Sequence, residues 1–377
     1  MPKRLVIYLL LVLCLGLNTN ALAAPLEINA KAAILMEPYT GKILYEKEIH
    51  KKLPIASVTK LMTLLLAIEA VEKGKVNLDD IIKVSEEAAS MGGSQLYMYA
   101  GEEFSFKDLL MAVAVASAND ACVAVAETVA GNEQAFVEEM NKKAEELGMT
   151  NTHFVNSYGF DDPNHYSTCY DIAILLREAI KHPLFLELSQ IKELTLRGGE
   201  TRRFNTNKLL WYYRGVDAGK TGWTEEAGYC LASTAKRDDL RLIAVVLGCE
   251  AKKSHFAESI KLYNYGYANF KAYRILAEKF SVNVKVVKGE KEQIMVGPGA
   301  PILLVEEKGK KLNPRYELKL PEKITAPVKS GQVMGEVVIY DGTKIIGRAP
   351  LKSLEDCPRA RLALAIGRFL KSLLTFE

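Results

Sequence analysis

Ser57 and Lys60 stand three residues apart in the run Ile55-Ala56-Ser57-Val58-Thr59-Lys60-Leu61. At helical pitch this spacing puts a hydroxyl and an amine on one face, about one turn apart. A serine hydroxyl becomes a nucleophile only with a base beside it. Lysine can be that base when burial or a second cation lowers its pKa. The open N–H groups at a helix start near Ser57 could also stabilise an oxyanion. The chemistry offered is nucleophilic acyl transfer. Alone the pattern is weak, because Ser-x-x-Lys arises by chance about once or twice in a chain of this length. Serine is also an ordinary helix N-cap.

Two further clusters add weight. Ser117-Ala118-Asn119 ends an apolar run from Leu109 to Ala116. A hydroxyl there can relay a proton and an amide can hold a substrate, although both could equally be local cap groups. Lys220-Thr221-Gly222 follows Asp217-Ala218-Gly219 and precedes a strand-like run. A lysine and a hydroxyl on a strand edge can bind a carboxylate, and the glycine lets a ligand backbone approach. The alternative is a surface turn.

The elements that must position these groups follow from periodicity. Lys31–Met36 and Lys42–Tyr45 read as a hairpin around Pro38-Tyr39-Thr40-Gly41. A helix runs from Ser57 to about Lys73, with Leu61, Leu65 and Ile68 at helical spacing and Gly74 closing it. The stretch from Asp79 to Gly148 is mostly helical, Leu109–Ala116 being apolar on nearly every side. Residues 150–167 are loop-like, and Asp171–Lys181 is helical. Lys192–Leu196, Ala227–Ala235 and Leu240–Gly248 read as strands, the last two an antiparallel pair across Lys236-Arg237-Asp238-Asp239. Ser254–Phe270 closes with a helix. Strands, a block of helices, strands and a final helix give an α+β domain, with a mainly antiparallel sheet and a helical insert. From near Ile275, short strands separated by Gly, Pro and Lys turns suggest a small all-β sandwich. From Pro358, Leu362, Ile366, Phe369, Leu370, Leu373 and Phe376 share one helical face opposite Arg361, Arg368 and Lys371. That pattern suits an interfacial helix in a membrane plane. The other reading is a helix docked on its own domain.

The first residues set the compartment. Lys3 and Arg4, the apolar run Leu5–Leu17 and Ala21-Leu22-Ala23 order themselves as a secretory leader cleaved after Ala23. A retained anchor is the alternative. The expected division is thus 1–23 leader, 24–274 first domain, 275–355 β-rich domain and 356–377 amphipathic helix. Loss of Lys3 and Arg4 lowers the formal charge from +3 to +1, so nucleic acid is excluded as a partner. Cys122, Cys169, Cys230, Cys249 and Cys357 lack zinc or CxxC spacing. They read as small buried hydrophobes, with one disulfide left open by the exported context. No histidine has metal-ligand spacing. His153, His165, His182 and His255 read as structural or surface residues, and no metal or cofactor is expected.

Ser-x-x-Lys, Ser-x-Asn and Lys-Thr-Gly occur in that order at 57, 117 and 220, as in class A β-lactamases and penicillin-binding proteins. With Ile55–Thr63, Ala116–Ala121, Asp217–Thr224 and His165-Tyr166-Ser167-Thr168, the chain resembles the low-molecular-mass penicillin-binding proteins that act as D-alanyl-D-alanine carboxypeptidases. The likeness covers nearly the whole chain, β-rich domain and amphipathic tail included. It implies a penicillin-binding/β-lactamase-like fold in the first domain. It also implies that Ser57 attacks the carbonyl between the two terminal D-alanines of a peptidoglycan stem peptide, with Lys60 as general base. Ser117 would relay a proton to the leaving amine. Asn119 would hold the substrate amide and orient Lys60. Lys220 and Thr221 would bind the terminal carboxylate, with Gly222 beside them and Lys220 helping to keep Lys60 neutral. The N–H groups of Ser57 and Trp223 would form the oxyanion hole. β-Lactams would acylate Ser57, and the protein would sit on the outer face of the cytoplasmic membrane.

The middle motif departs from the β-lactamase form, with Ala118 between Ser117 and Asn119. Tyr158 stands where some members carry a histidine before the glycine. A β-lactamase would need a dedicated glutamate for deacylation, and 150–190 holds no Glu-x-x-Leu-Asn. An endopeptidase or transpeptidase would use the same residues. A non-catalytic peptidoglycan-binding protein would be free to lose Ser57, Lys60 or Lys220, and all three are present.

Overall fold

A computed structural model of the chain describes residues 26–311 and 313–361. The expected leader and most of the expected tail helix lie outside the described residues. Strands β1 (Ala32–Met36), β2 (Ile43–Lys47), β3 (Val216–Thr224), β4 (Gly228–Arg237) and β5 (Leu240–Cys249) form one sheet. Its order is β2-β1-β5-β4-β3, and every neighbouring pair is antiparallel. Alternate residues serve two cores. Ile34, Met36, Ile243 and Val245 face one, and Leu35, Leu242, Ala244 and Val246 face the other. Burial on both faces is why β5 reads as an unbroken apolar run rather than an alternation.

The helical insert covers the first face. It comprises α1 (Lys60–Glu72), α2 (Phe106–Met111), α3 (Asn119–Ala130), α4 (Glu133–Glu146), α5 (Cys169–Ala179) and α6 (Pro183–Gln190). Helix α1 is its centre, buried continuously from Lys60 to Ile68. The second face is covered by α7 (Ser254–Asn269), whose Leu262 and Tyr263 are fully buried. Strand β3 is left at the sheet edge, beside the insert.

Three local departures from the periodic reading have physical causes. Ile81–Lys83 and Glu103–Ser105 form a short antiparallel ladder inside the stretch expected to be helical. Three residues are too few to show a period of two. The helix expected over 109–116 ends at Met111 and continues as a π turn over Ala112–Ala116. Strand β6 (Phe270–Leu276) follows α7 directly and spans the expected boundary at 275.

Strand β6 pairs with β9 (Ile302–Glu307). A six-stranded sheet adds β7 (Val282–Val287), β8 (Gln293–Gly297), β10 (Pro314–Lys319), β11 (Lys323–Thr325), β12 (Val333–Asp341) and β13 (Lys344–Ser353), in the order β10-β12-β13-β8-β7-β11. Leu276 and Ile302 from the pair pack with Val284, Ile294, Val337 and Leu351 from the sheet, giving this sandwich its own core. Lys42 ties it to the first sheet, its Nζ 3.0 Å from Glu306 and 2.9 Å from the Val305 carbonyl.

Residues 356–361, expected to open the amphipathic helix, run extended instead. Cys357 bridges Val328, and Ala360 N–H donates to the Lys288 carbonyl at 2.9 Å. Open backbone groups at the sandwich margin hold this segment through isolated bridges at Cys357 and Arg359. Among the described residues no helix is long and apolar enough to cross a membrane. The five described cysteines are all free and buried, so the disulfide left open above does not form among them.

Candidate active site

Ser57 sits in a 3-10 turn, Ala56–Thr59, that feeds into α1. The turn is entered through a left-handed residue, Ala56 at φ +47°. Lys60 opens α1 one turn later and has no exposed surface. Its Nζ donates to Ser57 Oγ at 2.8 Å, Asn119 Oδ1 at 2.7 Å and the Tyr158 carbonyl at 2.6 Å. Burial pushes its pKa down to about 8, against the smaller opposing effects of Cys122 and Asp120. The three partners have a directional consequence. Two of them, the Asn119 amide oxygen and the Tyr158 carbonyl, can only accept. A neutral lysine has two N–H bonds and one lone pair. If both acceptors keep their hydrogens, the lone pair must face Ser57, so the geometry that desolvates the amine also aims it.

The π turn at Ala112–Ala116 and the left-handed Ser117 (φ 60°) break the insert open where the second motif lies. π turns put one extra residue into a helix and gather at functional sites. Asn119 begins α3 beyond the break, with its Nδ2 donating to the Gly92 carbonyl at 2.8 Å. This fixes its amide so that Oδ1 faces Lys60 and leaves one N–H for a ligand. The next residue, buried Asp120, accepts from the N–H groups of Leu96 and Met98 and so secures the facing loop.

Strand β3 brings the third motif. Lys220 is buried, and its Nζ donates to Ser117 Oγ at 2.8 Å and the Thr221 carbonyl at 2.9 Å. Its pKa is pushed well below the ordinary value, first by burial and then by the Lys60 charge. Gly222 lets β3 pass close to the nucleophile turn. A Cβ there would lie 2.6 Å from the Ile55 carbonyl oxygen and 3.1 Å from the Ser57 N. Ser57, Lys60 and Asn119 thus form one hydrogen-bonded set, and Ser117 with Lys220 a second.

Both sets open into a cleft of about 410 Å³, lined by Ser57, Ser117, Thr221, Gly222 and Trp223. Ser94, Phe204, Thr206, Lys208, Tyr229, Lys252, Lys253, His255 and Phe256 complete its walls. Those residues come from loops, strand ends and the start of α7, whose approach is set by the tertiary fold, and no spacing in the sequence marks them. The Tyr158 carbonyl was missed because a backbone atom leaves no residue-type signal. Its one trace is Gly159, whose left-handed φ of +93° turns the chain at this point. Among the described residues no three His, Cys, Asp or Glu side chains converge as a metal site. Burial pushes the Cys122 thiol, near the two lysines, up to about 12.

A half-buried serine against a fully buried lysine, a second serine–lysine pair and a cleft along a sheet-edge strand define a serine acyl-transfer enzyme. Residues 18–251 match the D-alanyl-D-alanine carboxypeptidase family, and residues 270–359 match the C-terminal domain of penicillin-binding protein 5. The chain is 39% identical over 350 residues to D-alanyl-D-alanine carboxypeptidase DacF of Bacillus subtilis, covering 92% of this chain and 89% of that one. Penicillin-binding protein 5 of Haemophilus influenzae superposes with a TM-score of 0.72 at 33% identity, covering 89% of this chain and 99% of that one. Penicillin-binding protein D2 of Listeria monocytogenes, in its ampicillin-bound form, superposes with a TM-score of 0.59 at 34% identity, covering 64% of this chain and 99% of that one. The chain belongs to the D-alanyl-D-alanine carboxypeptidase family.

Proposed function

We propose that this protein removes the terminal D-alanine from peptidoglycan stem peptides through an acyl-enzyme on Ser57, and that β-lactams acylate the same serine. The observation that carries the reading is the 2.8 Å contact between the desolvated Lys60 amine and Ser57 Oγ on the cleft floor. Neutral Lys60 takes the Ser57 proton as Oγ attacks the carbonyl between the two D-alanines. General-base help of this kind is worth about 10²–10⁴ in rate. The N–H groups of Ser57 and Trp223 receive the developing oxyanion, a contribution of about 10²–10³ per donor. As the tetrahedral centre collapses, Ser117, its hydroxyl held by Lys220, relays to the departing D-alanine nitrogen the proton that Lys60 took from Ser57, which leaves Lys60 neutral again for the water that follows. Thr221 meets the terminal carboxylate, with the Lys220 ammonium behind it, and Asn119 uses its remaining N–H on the substrate amide. Water then cleaves the Ser57 ester and returns the shortened peptide.

In this reading residues 24–274 carry the chemistry, 275–355 form a separate β-rich domain, and 356–377 lead into a membrane-surface helix. The protein would be exported after loss of residues 1–23 and held on the outer face of the cytoplasmic membrane. Leu362, Ile366, Phe369, Leu370, Leu373 and Phe376 would supply the apolar face and Arg361, Arg368 and Lys371 the basic one.

Purified protein incubated with diacetyl-Lys-D-Ala-D-Ala is expected to release free D-alanine and to be labelled by a fluorescent penicillin. Neither release nor labelling would sink the proposal. Deleting residues 362–377 is expected to move the protein from the membrane to the soluble fraction, and unchanged fractionation would refute the anchor.

A further inference from the structure

His165 lies 3% exposed beneath the nucleophile turn, outside the set of groups assigned to the chemistry. Its two ring nitrogens are both engaged. Nδ1 faces the Val155 N–H at 3.1 Å, and Nε2 lies 2.8 Å from Thr59 Oγ1. The Thr59 hydroxyl donates to the Ala56 carbonyl at 2.8 Å. These contacts can be satisfied together in only one way. The Val155 amide is a donor, so Nδ1 must accept. The Ala56 carbonyl is an acceptor, so the Thr59 hydrogen is committed to it. Thr59 Oγ1 must then accept, and Nε2 must carry the ring proton. The polarity of the chain from Val155 to Ala56 is therefore fixed, and it requires neutral histidine in one tautomer. Burial holds the ring in that neutral form, with its pKa pushed down to about 4.

The far end of this chain is the peptide unit that joins Ala56 to Ser57. Ala56 has φ +47°, a region that a residue with a Cβ enters at a cost of about 1–2 kcal/mol. Something must hold it there. Thr59 grips its carbonyl from below. Gly159 presses on the same oxygen from the loop side, where an added Cβ would collide with the Ala56 carbonyl and lie 2.8 Å from Thr59 Oγ1. The loop that carries Gly159 also supplies the Tyr158 carbonyl to Lys60. His165 thus joins the 153–166 loop to the strained residue preceding the nucleophile, through Val155 at one end and Thr59 at the other.

We propose that His165, acting through Thr59, is a positioning residue that holds the Ala56–Ser57 peptide in the orientation from which Ser57 reaches its carbonyl target. It touches no reacting atom. Its effect is on the angle at which Oγ leaves the backbone and on the direction of the Ser57 N–H. This inference rests on Ser57 being the nucleophile, as proposed above.

The test uses the full chain and fluorescent penicillin, separating the noncovalent affinity from the first-order acylation rate, with the active fraction counted by burst amplitude. In His165→Leu the acylation rate per active molecule is expected to fall about 100-fold, the scale of a misplacement near 1 Å, with the noncovalent affinity unchanged. Glutamine can accept through its oxygen and donate through its nitrogen, so His165→Gln is expected within about tenfold of the native rate. Thr59→Val removes only the central hydroxyl and is expected to behave as His165→Leu, while Thr59→Ser is expected to behave as native. A native acylation rate in His165→Leu, equal losses in the Leu and Gln variants, or loss confined to the active fraction would each overturn the inference. If the Leu variant does not fold, the Thr59 pair decides by the same criteria. Absence of labelling in the native protein would overturn this inference and the Ser57 reading together. Labelling of native and His165→Leu at equal rates would overturn this inference alone.

Discussion

Lys60 Nζ and the carbonyl oxygen of Tyr158 stand 2.6 Å apart, so a backbone group on the 153–166 loop bonds directly to the amine proposed as the base. Asn156 shapes that loop, its Oδ1 accepting from the N–H groups of Gly159 and Phe160. Glu133 secures it from α4 by accepting from the Ser157 N–H and hydroxyl. Gly159→Ala would combine a left-handed φ with a collision on the Ala56 carbonyl. It is expected to slow penicillin acylation by about 100-fold and to lower the melting temperature, both measurable on one preparation.

The lowered pKa of Lys60 sets the pH dependence. With the value pushed down to about 8, the neutral amine is about a tenth of the population at pH 7. The second-order acylation rate is expected to rise tenfold per pH unit up to about pH 8 and then level. A profile flat from pH 6 to 9 would remove Lys60 as the titrating base.

Ser117 and Lys220 are proposed to return the proton to the leaving group. In Ser117→Ala the buried Lys220 amine would lose the hydroxyl that it now meets at 2.8 Å. Turnover of diacetyl-Lys-D-Ala-D-Ala is expected to fall by about 10²–10⁴, with a smaller loss for a β-lactam whose leaving group stays tethered. Equal losses on both substrates would point to collapse of the cleft wall instead.

The arrangement was legible in the sequence to the extent that side-chain type carries chemistry. Ser57, Lys60, Ser117, Asn119 and Lys220 lie where hydrogen bonds join them. The central sheet was visible in β4 and β5, whose length and turn mark a hairpin. Strand β6 was hidden because it runs on from α7 without a break, with Lys271 and Arg274 interrupting its apolar pattern. The π turn before Ser117 was hidden because Leu109 through Ala116 is equally apolar around any helical pitch. His165 looked structural from spacing alone. Its connection to Ala56 passes through Thr59, 106 positions away, and no local pattern encodes that distance.

Two buried histidines give the fold an acid limit. Desolvation lowers both His165 and His255 to about 4, below the unfolded value of about 6.5. The unfolded chain therefore binds these protons first, and stability is lost as pH falls from about 6.5 toward 4. The loss from each is on the order of 3 kcal/mol over that window. In His255→Phe, urea unfolding between pH 7 and 4.5 is expected to show a weaker pH dependence than the native protein. An identical slope would mean that His255 is not buried in its neutral form.

The most direct measurement of the central claim is the position of the acyl group. Protein quenched after brief exposure to penicillin, digested and analysed by mass spectrometry, is expected to carry one intact penicilloyl group on the peptide containing Ser57. In Ser57→Ala the label should be absent while the melting temperature stays near native. An adduct on Ser117 or any other residue, or labelling that survives Ser57→Ala, would contradict Ser57 as the nucleophile.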